Sequence, residues 1–171
     1  MAKRDYLARH GIVRNAIRED LLTFAIPAIL VLCAGFGVSA WQLVKRGSLV
    51  LLSVPGLAGA VLFVVGFAIL MVAHFTLWQF YSSTLIIRKD HQLITHGVYR
   101  FVRHPIYLGT IMACIGVALF VSSLYGPLIL LALIPIFLNR IRIEERLLTE
   151  EFGDQYRAYQ ETTGKLLPFI H

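Results

Sequence analysis

Two clusters of polar and charged side chains stand at the ends of apolar runs in this chain. The first is the segment 97–109, Gly-Val-Tyr-Arg-Phe-Val-Arg-His-Pro-Ile-Tyr-Leu-Gly, which gathers Tyr99, Arg100, Arg103, His104 and Tyr107 around Pro105. Proline suits the first turn of a helix, because its missing N–H has no intrahelical partner there. The N–H groups of Ile106 and Tyr107 are then expected to face outward at the positive end of the helix dipole, just after Arg103 and His104. That is a place to hold a carboxylate-bearing small molecule at the lipid–water boundary. The second cluster, 140–145, is Arg-Ile-Arg-Ile-Glu-Glu and lies where the last apolar run ends. Arg140 and Glu144 are i,i+4 neighbours on a helix, whereas Glu145 lies about 140° round from Arg140. Arg140 and Glu145 therefore flank a pocket more readily than they pair with each other. A carboxylate there can hold a cofactor's ammonium group while Arg140 orients an anionic substrate. Together the clusters describe an enzyme that takes a polar cofactor from water and an apolar substrate from lipid. Taken separately, the same residues would be interfacial anchors reaching for phosphates and a solvated ion-pair ladder.

The elements that must position these groups are membrane helices. Of 171 residues, 57% are hydrophobic and 15% charged, against about 25% charged in an ordinary soluble domain; mean hydropathy is +0.71. The formal charge of +6 resides almost entirely outside the apolar runs. That placement fits anionic headgroups and cytoplasmic loops, and no basic stripe interleaved with aromatics supports nucleic-acid binding. Residues 21–44 are long enough to cross a core of ~30 Å, and the run from 49 to about 80 is longer than one crossing needs. Pro55 marks a first turn or a kink in that second run. Gly56, Gly59, Ala60 and Gly66 give it a small face for close helix packing. Residues 105–122 and 124–139 form a shorter apolar pair, an expected antiparallel hairpin. The expected fold is all-α: a polytopic bundle of about four spans with a cytoplasmic cofactor pocket.

The chain divides as one membrane domain over 1–171. Residues 1–20 form an interfacial helix, with Ile12, Val13, Ala16, Ile17 and Leu21 at helical spacing between Arg9, Arg14 and Arg18. Two spans occupy 21–80, a cytoplasmic loop 81–104, the hairpin 105–139, and a cytoplasmic helix and tail 140–171. The N-terminal arm, the 88–103 loop and the tail after Arg140 carry most of the basic residues, so both termini and both clusters are expected on the cytoplasmic side. The first twenty residues are too polar, and the next run too long, for a cleavable signal peptide. The stretch 84–95 has two β-prone halves around Lys89, Asp90 and His91, either a small hairpin over the site or a plain connector. The last helix continues to Glu151, with Gly153 as its C-cap and another helical turn over 154–160.

Other chemistries lack their residues. Cys33 and Cys114 lie in apolar runs and are expected to serve packing, without a disulfide or zinc pattern. There is no Gly-rich nucleotide loop, no serine nucleophile elbow and no His–Glu metal motif, so no metal is expected. His74, deep in the second run, is an intramembrane ionisable group more economically satisfied by a neighbouring helix than used in the site.

At these residues the chain resembles the isoprenylcysteine carboxyl methyltransferase family of integral-membrane methyltransferases, related to the phospholipid N-methyltransferases. The pattern runs through Leu93, Ile94, Thr95, His96, Gly97, Tyr99 and the Arg103-His-Pro-Ile-Tyr-Leu-Gly109 segment. It resumes at Arg140, Glu144, Glu145, Leu148, Phe152, Gly153, Tyr156, Tyr159 and 167–170, Leu-Pro-Phe-Ile. The resemblance implies S-adenosylmethionine as methyl donor, held by Tyr99, Arg103, His104, Pro105, Tyr107, Leu108, Gly109, Glu144 and Glu145. It places Arg140 and Glu145 near the transferred methyl and the acceptor, and has a lipophilic acceptor enter sideways from the bilayer. The chain is shorter than the eukaryotic carboxyl methyltransferases, and Ile106 replaces their frequent Ser, so the reaction type carries over rather than the prenylcysteine substrate. Two other classes share the helical core or its surface: NADPH-dependent membrane sterol or lipid reductases, which are longer, and non-catalytic lipid-binding proteins.

Overall fold

The computed structural model describes residues 21–46, 53–77 and 93–168. The expected interfacial helix at 1–20 and the segment around Lys89 to His91 lie outside the described residues. Among the described residues six α-helices follow in order: α1 (Ile26–Arg46), α2 (Val54–Leu77), α3 (Pro105–Phe120), α4 (Tyr125–Leu130), α5 (Leu133–Phe152) and α6 (Asp154–Thr162). A π-helical turn, Leu21–Ala25, leads into α1, and a 3₁₀ turn, Gly97–Arg100, precedes α3. The π turn has a local cause: the ring of Pro27 excludes an ordinary α-helical bond back to Thr23, so the turn before it widens.

Leu21–Arg46, Val54–Leu77 and Tyr125–Phe152 are long and apolar enough to cross a membrane. Pro105–Phe120 is apolar but only 16 residues long, which gives ~24 Å at 1.5 Å per residue against a core of ~30 Å. Three of the four expected spans therefore have full length, and the fourth is a shorter helix packed among them. The protein is an all-α, polytopic integral-membrane protein.

The expected single run over 124–139 is divided. Pro135 cannot donate to Leu131, and its ring crowds that carbonyl, so α4 ends at Leu130 and α5 starts at Leu133. The break is bridged by tight bonds from Ala132 N–H to the Ile129 carbonyl and from Ile134 N–H to the Leu131 carbonyl, both 3.0 Å. Beyond the break α5 runs unbroken through Arg140, Glu144 and Glu145 to Phe152. There Gly153 ends the helix as expected, at a positive φ of 54° that favours glycine, and donates to the Thr149 carbonyl at 2.9 Å.

Helix α3 sits between its neighbours. On one side it packs against α2 through facing glycines, Gly59 opposite Gly116 and Gly66 opposite Gly109. A Cβ on Gly109 would lie 2.6 Å from the Gly66 carbonyl oxygen, and one on Gly116 would lie 2.9 Å from that of Gly59. With so little hydrophobic driving force between helices in lipid, such backbone contact is what holds the pair together. On the other side, α3 joins α1, α4 and α5 around Ala28, Ile111, Ala118, Leu130, Leu133 and Phe137. Cys114 packs against this core, whereas Cys33 is exposed on α1, contrary to the packing role expected of it. The outward face of α2, with Val61, Val64 and Phe75 each more than half exposed, presents the apolar surface a bilayer requires.

Candidate active site

The site forms where the start of α3, the middle of α5 and the C-terminal segment meet. Pro105 opens α3 as its first residue, fully buried, and so fixes Arg103 and His104 just outside the helix. The C-terminal segment runs beside them: Arg103 N–H donates to the Gly164 carbonyl at 2.9 Å and His104 N–H to that of Lys165 at 3.1 Å. Val102 and Gly164 complete a short parallel bridge.

Arg103 is the knot. Its Nε donates to Glu145 Oε1 at 2.8 Å, with side chains only 3% and 9% exposed. Its Nη1 donates to the Gln160 carbonyl at 2.9 Å and to the Thr163 carbonyl. Glu145 also faces Lys165 Nζ at 3.5 Å and His104 Nε2 at 3.5 Å. The imidazole of His104 thus lies between two carboxylates, with Nδ1 3.8 Å from Glu144 Oε2. At these separations Nε2 is buried without a hydrogen-bond partner.

Glu144 is the more accessible acid, one third exposed. It accepts a hydrogen bond from the Tyr107 hydroxyl at 3.0 Å, and the Tyr107 ring stacks on His104 at 5.8 Å. These residues border a cleft of about 90 Å³ lined by Tyr99, Arg103, His104, Glu144, Leu148, Phe152, Tyr156, Tyr159 and, from the α2 end and the segment before the 3₁₀ turn, Leu77, Leu93 and Ile94. Its volume is below the roughly 300–1,000 Å³ of sites that take a drug-sized ligand, so the described walls have room for only part of such a molecule.

Arg140 takes the other side of this wall. It is 5% exposed, and its Cζ lies 4.7 Å from the centroid of the Phe24 ring. Phe24 packs on Phe137 at 5.6 Å and on Tyr107 at 6.4 Å, and Tyr107 meets Phe137 at 5.1 Å. Arg140 thus packs on an aromatic cluster and is not among the residues lining the cleft, whereas the helical offset between Arg140 and Glu145 led one to expect the two to flank a pocket.

Two tyrosines of α6 close the cleft from below. Tyr159 donates to the Tyr99 carbonyl at 2.6 Å, and burial pushes its phenol up to about 12 against the opposing pull of Arg103. Tyr156 is 1% exposed and its hydroxyl has no hydrogen-bond partner. Burial first, then the charges of Glu145 and Glu144, drive its pKa upward, with Arg103 again opposing.

Of the residues singled out in the sequence, Tyr99, Arg103, His104 and Glu144 line the cleft, and Tyr107 reaches it through Glu144. Glu145 lies behind the lining, occupied by Arg103 and Lys165. Pro105 is a buried helix start and Leu108 is half-buried on α3. Gly109 faces Gly66 and Leu70 of α2 rather than the cleft. The sequence reasoning did not place Phe24, the carbonyls of Gln160 and Thr163, or Lys165 at the site. Lys165 alone gave a signal, as a lone cation just before the apolar 166–170 stretch.

With this geometry in place, likeness to known proteins is informative. The isoprenylcysteine carboxyl methyltransferase family description matches residues 59–150. The protein-S-isoprenylcysteine O-methyltransferase of Tribolium castaneum is 44% identical over 83 residues, 48% of this chain and 30% of that protein. Protein-S-isoprenylcysteine O-methyltransferase A of Arabidopsis thaliana is 30% identical over 116 residues, 66% of this chain and 59% of that protein. The methanethiol S-methyltransferase of Pseudomonas deceptionensis is 32% identical over 136 residues, 76% of this chain and 50% of that protein. A solved eukaryotic intramembrane Ras methyltransferase, itself an isoprenylcysteine carboxyl methyltransferase, superposes with TM-score 0.70 and 28% identity over 83% of this chain and 52% of that one. The chain thus spans less than two thirds of the length of these relatives. The family match covers more than half of the chain and holds both polar clusters up to Glu150: the chain belongs to the isoprenylcysteine carboxyl methyltransferase family.

Proposed function

We propose that this protein is an integral-membrane methyltransferase that uses S-adenosylmethionine and acts on a lipophilic acceptor, with its site facing the cytoplasm. The observation that carries this reading is the charge balance of the cleft. Arg103 and Lys165 stand against Glu144 and Glu145, with His104 between the acids. A cluster with no excess charge suits a zwitterionic amino-acid end. The several phosphates of a nicotinamide dinucleotide call for surplus cations, so the reductase reading loses ground here.

The residues present fit the donor. His104 Nε2 is buried and open to a hydrogen bond, Glu144 is accessible for an ammonium, and Leu77, Leu93, Ile94 and Phe152 offer an apolar wall. When bound, the donor supplies a sulfonium methyl already activated for displacement. The protein's own task is then alignment and exclusion of water. His104, Glu144 and Tyr107 bind and orient the polar end. Phe24, Tyr107 and Phe137 form a packed apolar cluster beside the polar residues. Arg140, held against Phe24, orients an acidic acceptor head group toward the donor, in keeping with the isoprenylcysteine relatives.

Glu145 enters as a positioning residue. With Arg103, His104 and Lys165 around it, its carboxylate is poorly suited to accept a proton. An acceptor that is itself a carboxylate needs no base. A thiol, the kind of acceptor named for the Pseudomonas relative, would need one. The cytoplasmic orientation is supported by the basic residues at this end, Arg100, Arg103, Arg140, Arg142, Arg146 and Lys165, against Lys45 and Arg46 at the other.

The test is transfer of a radiolabelled methyl group from S-adenosylmethionine by the full chain in lipid vesicles, offered an S-prenyl thioether acid or a long-chain thiol. The proposal expects an organic-soluble, base-labile ester from the acid. Base-stable product from the thiol alone would move the acceptor to sulfur, and no transfer to either by folded protein would refute the reading.

A further inference from the structure

We propose that Tyr156 is a ligand-contacting residue whose hydroxyl donates to the carboxylate of the methyl donor's amino-acid end. The inference rests on the methyl-donor reading above and extends it to a residue outside the two polar clusters.

The contrast with Tyr159 points to this. Both tyrosines project from α6, one turn apart, with rings meeting edge to face at 5.9 Å. Both are buried. Tyr159 has a complete set of contacts, its hydroxyl donating to the Tyr99 carbonyl at 2.6 Å. Tyr156, the more deeply buried, lines the cleft with its hydroxyl unpartnered. A fold does not keep a buried hydroxyl without a bond unless something outside the chain completes it.

What completes it follows from the neighbours. Tyr156 shares the cleft lining with the polar side chains of Arg103, His104 and Glu144, and its burial raises the phenol's pKa. The phenol stays protonated there, so it is a donor and asks for an acceptor. The nearby carboxylates are already served: Glu144 accepts from Tyr107, and Glu145 from Arg103. A carboxylate brought in by a zwitterion supplies the missing acceptor, and Glu144 receives the ammonium of the same group. The second unbonded polar atom of the cleft, His104 Nε2, is available to that carboxylate too.

Calorimetric titration of the full chain in detergent micelles tests this with two probes. S-Adenosylhomocysteine carries the amino-acid end; 5′-methylthioadenosine lacks it. Tyr156→Phe is expected to weaken the first about tenfold or more and to leave the second unchanged. Tyr159→Phe, which disturbs packing instead, is expected to shift both probes by the same factor. Unchanged S-adenosylhomocysteine affinity in Tyr156→Phe, or an equal loss for both probes, would overturn the assignment while leaving the methyl-donor reading intact. Failure of the unsubstituted protein to bind S-adenosylhomocysteine would instead remove the reading on which the inference stands.

Discussion

Arg103 Nε and Glu145 Oε1 lie 2.8 Å apart, both side chains less than a tenth exposed, and this pair joins the start of α3 to the middle of α5. The same guanidinium reaches the Gln160 and Thr163 carbonyls, so one side chain ties together three separate parts of the chain. Removing one member of a buried pair leaves an uncompensated charge, a loss of about 3–5 kcal/mol. Glu145→Gln and Arg103→Ala are therefore expected to lower the unfolding temperature in detergent by roughly 6–20 °C. Arg103→Met combined with Glu145→Met is expected to recover part of that loss, because both charges go together. Thermal unfolding of the three variants checks this; a double variant that loses as much as both single variants together would deny the pairing.

Arg140 lies beneath the ring of Phe24 and outside the cleft. A cation–π contact of this kind is worth about 0.5–2 kcal/mol. Phe24→Ala is expected to raise the acceptor's KM about three- to tenfold while leaving S-adenosylhomocysteine affinity unchanged. Arg140→Ala is expected to abolish transfer with the donor still bound. Loss of donor binding in either variant would place Arg140 on the donor side.

Gly109 belongs to the helix interface. A methyl group there would press on the Gly66 carbonyl at 2.6 Å and the Leu70 amide at 2.8 Å, and both are backbone atoms that cannot swing aside. Gly109→Ala is expected to cost about 1–3 kcal/mol through forced separation of α2 and α3. The folded fraction should bind S-adenosylhomocysteine as the unsubstituted protein does. A large loss of affinity at unchanged stability would return Gly109 to the donor site.

Alkaline pH should report on the lower wall of the cleft. Burial holds the Tyr159 phenol at about 12 and raises that of Tyr156 as well, against about 10 in the unfolded chain. The folded state therefore keeps these protons more tightly. Their contribution to stability is complete below pH 10 and is lost as pH rises from 10 through about 12. Unfolding temperatures measured from pH 8 to 12 should fall less steeply above pH 10 in Tyr159→Phe than in the unsubstituted protein. Parallel curves would mean that Tyr159 does not titrate with unfolding.

Much of this arrangement was legible residue by residue. Pro105 opens α3 and Gly153 caps α5 because proline and glycine each allow few alternatives at those positions. The angle between Arg140 and Glu145 follows from helix geometry, and the structure gives them different partners, Phe24 for Arg140 and Arg103 for Glu145. The break before Leu133 was also written in Pro135, but hydropathy alone joins the two halves, since every residue from Leu128 to Leu138 is apolar. What could not be read is contact across elements. That Arg103 holds the Thr163 carbonyl, or that Phe24 from the turn before α1 covers Arg140 on α5, depends on how distant segments dock. Nothing in local periodicity encodes that docking. Gly109 shows the same limit: its smallness was evident, but whether it made room for a ligand or for Gly66 was decided by the packing of α2.

The central claim is that the cleft between Arg103, His104 and Glu144 takes a zwitterionic methyl donor. Calorimetry of the purified full chain in mild detergent, titrated separately with S-adenosylhomocysteine and with NADPH, tests it most directly. The account predicts saturable binding of S-adenosylhomocysteine at one site and none of NADPH. Binding of NADPH alone, or of neither by folded protein, would contradict it.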